Sequence, residues 1–187
     1  MAGQEKPLEG GNVAAGVVRV GETVRKPATA ATPAVGSLLR HLETAGFTGA
    51  PRFHGLDGSG RQILDYVHGP LADTLPPMSQ DDLARVGRLI RDLHDATSTF
   101  PAPDDAVWSV EIAPDRDDLI CHHDPAPWNL VCGDGTWVFI DWDGAGPGSR
   151  NSSNGTSAAC TGRSWTATTR DANPGHGCTR RATPTTG

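Results

Sequence analysis

The sequence predicts an α+β fold, in which a β-rich N-terminal part precedes a part that mixes helix and short strands. Three observations predict it. Short runs rich in β-branched residues flank turn residues in the first 70 positions, and two segments place apolar residues at helical spacing. After residue 118, apolar runs surround a loop rich in His, Asp and Asn. β-Branched runs bounded by turn residues favour strands, whereas apolar residues three and four positions apart favour helices.

Two strand pairs are predicted in the N-terminal part. Residues 17–20 and Thr23–Lys26 flank a glycine-containing turn, which is the pattern of a β-hairpin. Pro27 is expected to end the second strand, because proline cannot donate to a β-ladder. Residues 51–55 and 61–67 form the second predicted pair, with a Gly- and Asp-rich turn between them.

Two amphipathic helices are predicted. Residues 33–44 carry apolar side chains at helical spacing, and Gly46 follows where a helix C-terminus is expected. Ser79 is a good N-cap, and Asp82 three residues later resembles a capping box. The second helix is therefore predicted to run to about Ala96. Its apolar stripe consists of Leu83, Val86, Leu89, Ile90 and Leu93.

Three apolar strands are predicted in the second part of the chain. They are Leu119–Cys121, Leu130–Cys132 and residues 137–140. The dipeptide Asp134-Gly135 between the last two is a strong hairpin signal. Trp128 and Trp142 are expected to pack in the core, with a position flanking the functional site as the alternative.

Charge and composition narrow the class of protein. Residues 1–149 hold 11 Lys/Arg and 21 Asp/Glu, and this acidity argues against a nucleic-acid partner. No apolar run approaches the length of a membrane span, and the first residues do not resemble a signal peptide. The four cysteines fit no disulfide framework, so reduced thiols and a cytoplasmic protein without a membrane partner are expected.

The composition changes abruptly near residue 150. Residues 150–187 contain no Val, Ile, Leu, Met, Phe or Tyr, and their charge is basic. Such a segment cannot bury enough apolar surface to offset its ordering entropy, so it is expected to be disordered. A sharper hypothesis is a change of reading frame near residues 149–150, since shifted translation of a GC-rich gene yields this composition.

The residues that carry chemistry lie between positions 121 and 143. Phosphoryl transfer from a nucleotide requires an acceptor oxygen aimed at the γ-phosphorus and neutralisation of phosphate charge by a metal. Asp124 can accept the acceptor's proton, Asn129 can bind the metal, and Asp141 can bridge metal and phosphates. Magnesium prefers oxygen ligands and needs few from the protein. The alternative is that these three residues lie in turns between strands by coincidence and have no catalytic role.

A family resemblance rests on these residues. The pattern H-x-D-x-x-x-x-N at 122–129, followed by I-D-W-D at 140–143, resembles the catalytic and metal loops of the aminoglycoside phosphotransferase/choline kinase family. Residues 10–26 resemble its nucleotide-covering strands, and residues 64–69 resemble its adenine-contacting linker. The resemblance implies a protein-kinase-like two-lobed fold, with a β-rich N-terminal lobe and an incomplete helical C-terminal lobe. It also implies ATP and Mg²⁺ as cofactors and a small-molecule hydroxyl, of an aminoglycoside or another alcohol, as acceptor.

The resemblance assigns roles to the loop and the metal strand. Asp124 would be the catalytic base, and Asn129 and Asp141 would bind magnesium. His122 would support the loop by packing and hydrogen bonding. Asp143 would either assist the metal or be a solvated turn residue.

It also implies nucleotide contacts in the N-terminal lobe. Lys26 would pair with the phosphates, although its neighbour Arg25 has that role if the strand register differs. Gly10 and Gly11 would form a phosphate loop, with a floppy N-terminal loop as the alternative. Tyr66 and Val67 would contact the nucleotide through their backbone.

The sequence departs from the family pattern at several positions. His123 replaces the usual Gly, and Pro125 replaces an apolar residue and restricts the loop backbone. The first helix carries no well-placed Glu to pair with the phosphate-binding cation, since Glu43 lies near its end. The helical subdomain that follows the metal strand in the family corresponds here to the apolar-free tail.

The expected organisation has four parts. Residues 1–9 are a flexible N-terminus, 10–69 a nucleotide-binding lobe, 70–149 a partial C-terminal lobe with the catalytic and metal loops, and 150–187 a low-complexity tail. Two other functions compete with an active kinase. One is a truncated, inactive remnant with weak or no nucleotide binding. The other is a zinc module built on Cys121, His122, His123 and Cys132.

Overall fold

A five-stranded antiparallel sheet dominates the N-terminal part of the chain. The computed structural model describes residues 4–8, 16–110 and 116–150. The sheet has the order β1-β2-β3-β5-β4. Its strands are β1 (Glu5–Pro7), β2 (Val18–Val20), β3 (Thr23–Lys26), β4 (Phe53–Leu56) and β5 (Gln62–Asp65).

The edge strand β1 differs from the expectation that residues 1–9 are flexible. It pairs with β2, with Lys6 opposite Arg19, and all three of its residues are exposed. Glu5 also forms an ion pair with Arg61 at 2.8 Å. Lys6 and Pro7 are residues typical of an exposed sheet edge rather than of a strand interior. The composition of Glu5–Pro7 therefore did not predict this strand.

Helix α1 (Thr32–Thr44) packs one face on the sheet. Pro33 stands in its first turn, where a missing N–H costs nothing. Leu38, Leu39 and Leu42 are at most 1% exposed. The helix ends at Thr44, and Gly46 follows it as the predicted C-terminal signal; its φ of +77° lies in the left-handed region that glycine adopts without strain.

Helix α2 (Gln80–Thr97) begins with the predicted capping box. The Ser79 side chain accepts a hydrogen bond from the Asp82 N–H, and the Asp82 carboxylate accepts one from the Ser79 N–H. Val86, Ile90 and Leu93 form its buried face. No helix in the described ranges is long and apolar enough to cross a membrane.

Two small antiparallel pairs hold the loops of the C-terminal part. Strands β7 (Leu130–Cys132) and β8 (Trp137–Phe139) form the predicted hairpin around Gly135. Strand β6 (Leu119–Cys121) pairs with β9 (Gly146–Gly148), which the sequence did not predict because Gly-Pro-Gly has low strand propensity. Short 3₁₀ turns at Pro127–Asn129 and Trp142–Gly144 precede β7 and β9.

One hydrophobic core joins these elements. Leu38 and Leu42 of α1, Leu93 of α2, and Leu130 and Phe139 of the hairpin all belong to it and are at most 1% exposed. The Phe139 N–H also donates to the carbonyl of Gly49 in the α1–β4 connection, at 2.9 Å. The loops that follow β6 and β8 are therefore fixed relative to the N-terminal sheet.

Candidate active site

The loop that follows β6 is a series of tight turns around Asp124. The Ala126 N–H donates to the Asp124 carbonyl at 2.9 Å, and the Asn129 N–H donates to the Ala126 carbonyl at 2.9 Å. Pro125, Ala126 and Pro127 are buried, whereas Asp124 is half-buried. This buried backbone holds the Asp124 carboxylate at the edge of solvent.

Asn129 is oriented by Asp124. Its Nδ2 donates to the Asp124 Oδ2 at 2.7 Å and to the Asp124 carbonyl at 3.1 Å. Two acceptors on the same side assign the NH₂ group to that position. The Oδ1 of Asn129 therefore faces away from Asp124, which is the orientation that a metal ligand requires.

His122 connects the Asp124 loop to the strand that precedes Asp141. Its Nε2–H donates to the Ile140 carbonyl at 3.0 Å, and its Nδ1 accepts the Asp124 N–H at 3.3 Å. Burial lowers the pKa of His122 to about 4, although the bond to Ile140 opposes this shift. The ring is therefore neutral at physiological pH, as one donor and one acceptor nitrogen require.

Asp141 stands at the end of the hairpin in a left-handed backbone conformation, with φ 61° and ψ 66°. Asp and Asn tolerate this region better than most residues. The Ile140 N–H donates to the Asn129 carbonyl at 2.8 Å, so the backbone preceding Asp141 is tied to the loop. The carboxylate of Asp141 is half-exposed and forms an ion pair with the Lys26 ammonium.

The strand register places Lys26 and Arg25 on opposite faces of the sheet. The Lys26 Nζ reaches both Asp141 and Asp143, the latter at 2.9 Å. Arg25 instead lies 3.7 Å from Asp57. Burial lowers the pKa of Lys26, but the carboxylates of Asp141 and Asp143 outweigh burial and raise it above its ordinary value. Lys26 is therefore a fixed cation beside the two carboxylates.

No acid on α1 pairs with Lys26 in the described ion pairs. Glu43 forms an ion pair with Arg52 at 3.1 Å instead. The partners of Lys26 come from the 3₁₀ turn Trp142–Gly144 and the residue before it. Asp143 is thus part of the charged cluster rather than only a solvated turn residue.

His123 stands where the motif of the resembled family usually has glycine. The backbone conformation at this position explains that preference. Its φ is 67°, in the left-handed region that disfavours side chains with a Cβ. The ring compensates, because its Nε2 bonds to the carbonyls of Gly146 at 3.1 Å and Pro147 at 2.9 Å. The loop therefore keeps its turn despite this substitution.

The two tryptophans of the motif have different environments. Trp142 is 4% exposed, and its Nε1–H donates to the Phe139 carbonyl at 2.8 Å, in agreement with the expected core position. For Trp128 that expectation is wrong, since this side chain is 50% exposed. Its Nε1–H donates to the Asp124 Oδ2 at 3.0 Å, because the 3₁₀ turn directs the indole outward along the loop.

The predicted nucleotide contacts in the N-terminal part are only partly described. Gly10 and Gly11 lie outside the described residues. Tyr66 and Val67 line a cavity of about 560 Å³, together with residues of α1 and of the α1–β4 connection. Lys26, Asp124 and Asp141 are not among the residues that line it. The cavity is therefore separate from the charged cluster.

The arrangement does not favour a zinc module. His122 and His123 direct their Nε2 atoms to backbone carbonyls of different segments. Within residues 4–8, 16–110 and 116–150, no three His, Cys, Asp or Glu side chains are placed to hold a metal. Magnesium needs fewer protein ligands than a structural zinc, since a few protein oxygens suffice when phosphates and water complete its coordination shell.

The donor atoms fit magnesium and a nucleotide phosphate. Asn129 offers its Oδ1, Asp141 and Asp143 offer carboxylates, and Lys26 offers a cation for phosphate oxygens. The Asp124 carboxylate, whose Oδ2 accepts the Asn129 Nδ2 at 2.7 Å, can accept a proton. Hard oxygen ligands beside a fixed ammonium form the type of site that binds a metal–phosphate complex.

Comparison with known proteins finds a similar curated sequence and similar solved structures. The chain is 36% identical over 137 residues to the trifolitoxin immunity protein of Rhizobium leguminosarum bv. trifolii, which covers 70% of this chain and 52% of that protein. The chain thus spans about half the length of this curated relative. No protein-family model matches it.

Two of the similar structures are of a phosphotransferase and of a kinase family protein. Spectinomycin phosphotransferase, in complex with ADP and spectinomycin, aligns with a TM-score of 0.55 and 13% identity, over 80% of this chain and 66% of that one. A choline/ethanolamine kinase family protein from Mesorhizobium loti aligns with a TM-score of 0.48 and 18% identity, over 78% and 60%. The first alignment confirms the predicted α+β, kinase-like fold.

Proposed function

We propose that this chain is an ATP- and Mg²⁺-dependent phosphotransferase that acts on a hydroxyl group of a small molecule. The observation that carries the proposal is the ion pair of Lys26 with Asp141, on a backbone that is hydrogen-bonded at Ile140 to Asn129, whose side chain in turn contacts Asp124. Lys26 and Asp141 are 115 positions apart in sequence, yet their side chains form an ion pair. Two hydrogen-bonded loops and one sheet strand converge on these residues, as preorganised catalysis requires.

Asp124 acts as the base. Its carboxylate accepts the proton of the acceptor hydroxyl, which makes that oxygen a better nucleophile. Asn129 and the backbone turns hold the carboxylate in place, and His122 fixes the loop to the strand before Asp141. Neutral His122 serves this purpose without adding charge to the site.

Asn129 and Asp141 hold the metal, with Asp143 as an additional carboxylate, and Lys26 binds the phosphates. When bound, magnesium ATP supplies the phosphoryl group and the positive charge that stabilises its transfer. Lys26, which pairs with Asp141 and Asp143, would offer its ammonium to the phosphate oxygens. In this proposal residues 10–69 bind the nucleotide, Tyr66 and Val67 contact the base through their backbone, and residues 70–149 carry the catalytic and metal loops.

The names of the similar proteins suggest a protective role. One is the trifolitoxin immunity protein, and another is a spectinomycin phosphotransferase in complex with ADP and spectinomycin. We propose an acceptor of this kind, a toxic compound that is inactivated by phosphorylation of a hydroxyl.

A second candidate function is an inactive remnant of such a kinase. It is favoured by the composition of the segment after Arg150. The segment after Arg150 contains no Val, Ile, Leu, Met, Phe or Tyr, from which the core of an acceptor-binding subdomain would be built. A remnant would keep the fold and lose turnover.

Measurement of ADP release distinguishes the two candidates. The full chain is incubated with ATP and Mg²⁺ and with a panel of alcohols that includes spectinomycin, choline and ethanolamine. The proposal predicts acceptor-dependent ADP release that falls at least about 100-fold in Asp124→Asn, because loss of a general base costs this much. Asp134→Asn, at an exposed turn position, is the matched control and retains activity. Equal ADP release by wild type and Asp124→Asn with every acceptor would establish the remnant.

A further inference from the structure

The Trp128 side chain is exposed, and a hydrogen bond holds its indole N–H in place. Half of its surface is exposed, although Pro127 and Asn129 on the same 3₁₀ turn are buried. Its Nε1–H donates to the Asp124 Oδ2 at 3.0 Å. An exposed large aromatic side chain that is anchored beside a polar site is a feature that folding alone does not require.

We propose that Trp128 positions the Asp124 carboxylate and forms the wall of the site against which the acceptor rests. The inference depends on the proposed phosphotransferase function and adds a residue to it. No role for this side chain follows from the ion pairs of Lys26 with Asp141 and Asp143, in which Trp128 takes no part.

The positioning role follows from the hydrogen bonds of Asp124. Its Oδ2 accepts from both the Trp128 Nε1–H and the Asn129 Nδ2, at 3.0 and 2.7 Å. Two donors from adjacent residues fix both side-chain torsions of the aspartate. No hydrogen bond to its Oδ1 occurs among the described residues. That oxygen is therefore the one directed to the acceptor hydroxyl.

The wall follows from distance. An acceptor hydroxyl that donates to the Asp124 carboxylate lies within about 8 Å of the indole nitrogen, given ordinary hydrogen-bond lengths. The carbon skeleton that carries this hydroxyl can then reach the exposed indole. Indole faces attract C–H groups and cations, so the wall suits the ring carbons of a sugar or cyclitol and any amine attached to them.

Two substitutions separate these contributions. Trp128→Phe keeps an aromatic wall and removes the N–H, so kcat should fall about tenfold while the KM for the acceptor changes less than about twofold. Trp128→Leu removes both, so the KM for the acceptor should also rise several-fold. Trp137→Phe is the control, because Trp137 lies at the turn end of the β7–β8 hairpin and packs against Arg85. These kinetics use whichever panel alcohol supports ADP release.

An NMR measurement tests the contact independently of activity. The indole N–H signal of Trp128 should shift in Asp124→Asn, whereas that of Trp137 should not. An unchanged Trp128 signal would overturn the positioning role even if the enzyme is active. Wild-type kcat and KM in both Trp128 variants would overturn the proposal even if the signal shifts. If no alcohol is turned over, the acceptor wall is rejected together with the proposed function, and the indole signal still decides the positioning role.

Discussion

At the scale of single residues, the site holds His122 buried and neutral. His122 is enclosed between the rings of Phe139 and Trp142, with ring centroids at 5.7 and 4.6 Å. The sequence motif predicted a supporting role for this residue, and its neighbours explain how burial imposes the neutral form. The exposure of Trp128 could not be predicted, because the direction of an indole on a 3₁₀ turn depends on contacts made across the loop.

The buried neutral His122 predicts a pH dependence of stability. Its pKa is about 4 in the folded state and 6.5 as the ordinary value, so the unfolded state binds more protons between these pH values. The free energy of unfolding should therefore fall as the pH decreases from 6.5 to 4. His122 contributes on the order of 3 kcal/mol to this fall. Urea unfolding across this range should show a shallower pH slope in His122→Gln, and an equal slope in both proteins would contradict the assignment.

At the scale of elements, local sequence signals predicted helices better than edge strands. The capping box of α2 was predictable because Ser79 and Asp82 satisfy each other's backbone within four residues. Strands β1 and β9 were not predictable, because their residues have low strand propensity. They form strands only by pairing with β2 and β6. The loop around Asp124 depends on β9 as well, since His123 bonds to the carbonyls of that strand.

The packing of α1 on β4 predicts opposite effects for the same substitution in two helices. A Cβ at Gly36 would lie 2.5 Å from the Phe53 ring, whereas a Cβ at Gly87 of α2 would meet nothing within 4 Å. Gly36→Ala should therefore destabilise the protein by about 1–3 kcal/mol through overpacking. Gly87→Ala should stabilise it by up to about 1 kcal/mol, since alanine is the better helix former. Urea unfolding of both variants measures this, and stabilisation by Gly36→Ala would contradict the packing.

On the scale of the whole molecule, the described fold is closed by residues 146–150. Strand β9 completes the pair with β6, and Arg150 forms an ion pair with Asp95 of α2 at 2.6 Å. The change in composition near residue 150 predicted a boundary there from aliphatic content alone. Residues 151–187 fall outside the described residues, so their expected disorder stays a prediction.

This boundary predicts the result of two truncations. A chain ending at Arg150 should keep the melting temperature of the full chain within about 2 °C, because the removed segment lacks aliphatic residues. A chain ending at Ala145 loses β9 and the partners of His123, and should melt at least about 4 °C lower. Differential scanning calorimetry compares the three chains. A large loss of stability in the chain ending at Arg150 would show that the segment after it belongs to the folded unit.

Whether Lys26, Asn129 and Asp141 form one nucleotide–metal site beside a separate base is tested most directly by calorimetric titration of ATP. Binding to the full chain should require Mg²⁺ and should weaken at least about tenfold in Lys26→Met and Asp141→Asn, since each loses a charge-assisted contact. Asp124→Asn should bind ATP like the wild type, because Asp124 acts on the acceptor. No binding by the wild type, or unchanged binding in Lys26→Met and Asp141→Asn, would contradict the proposed site.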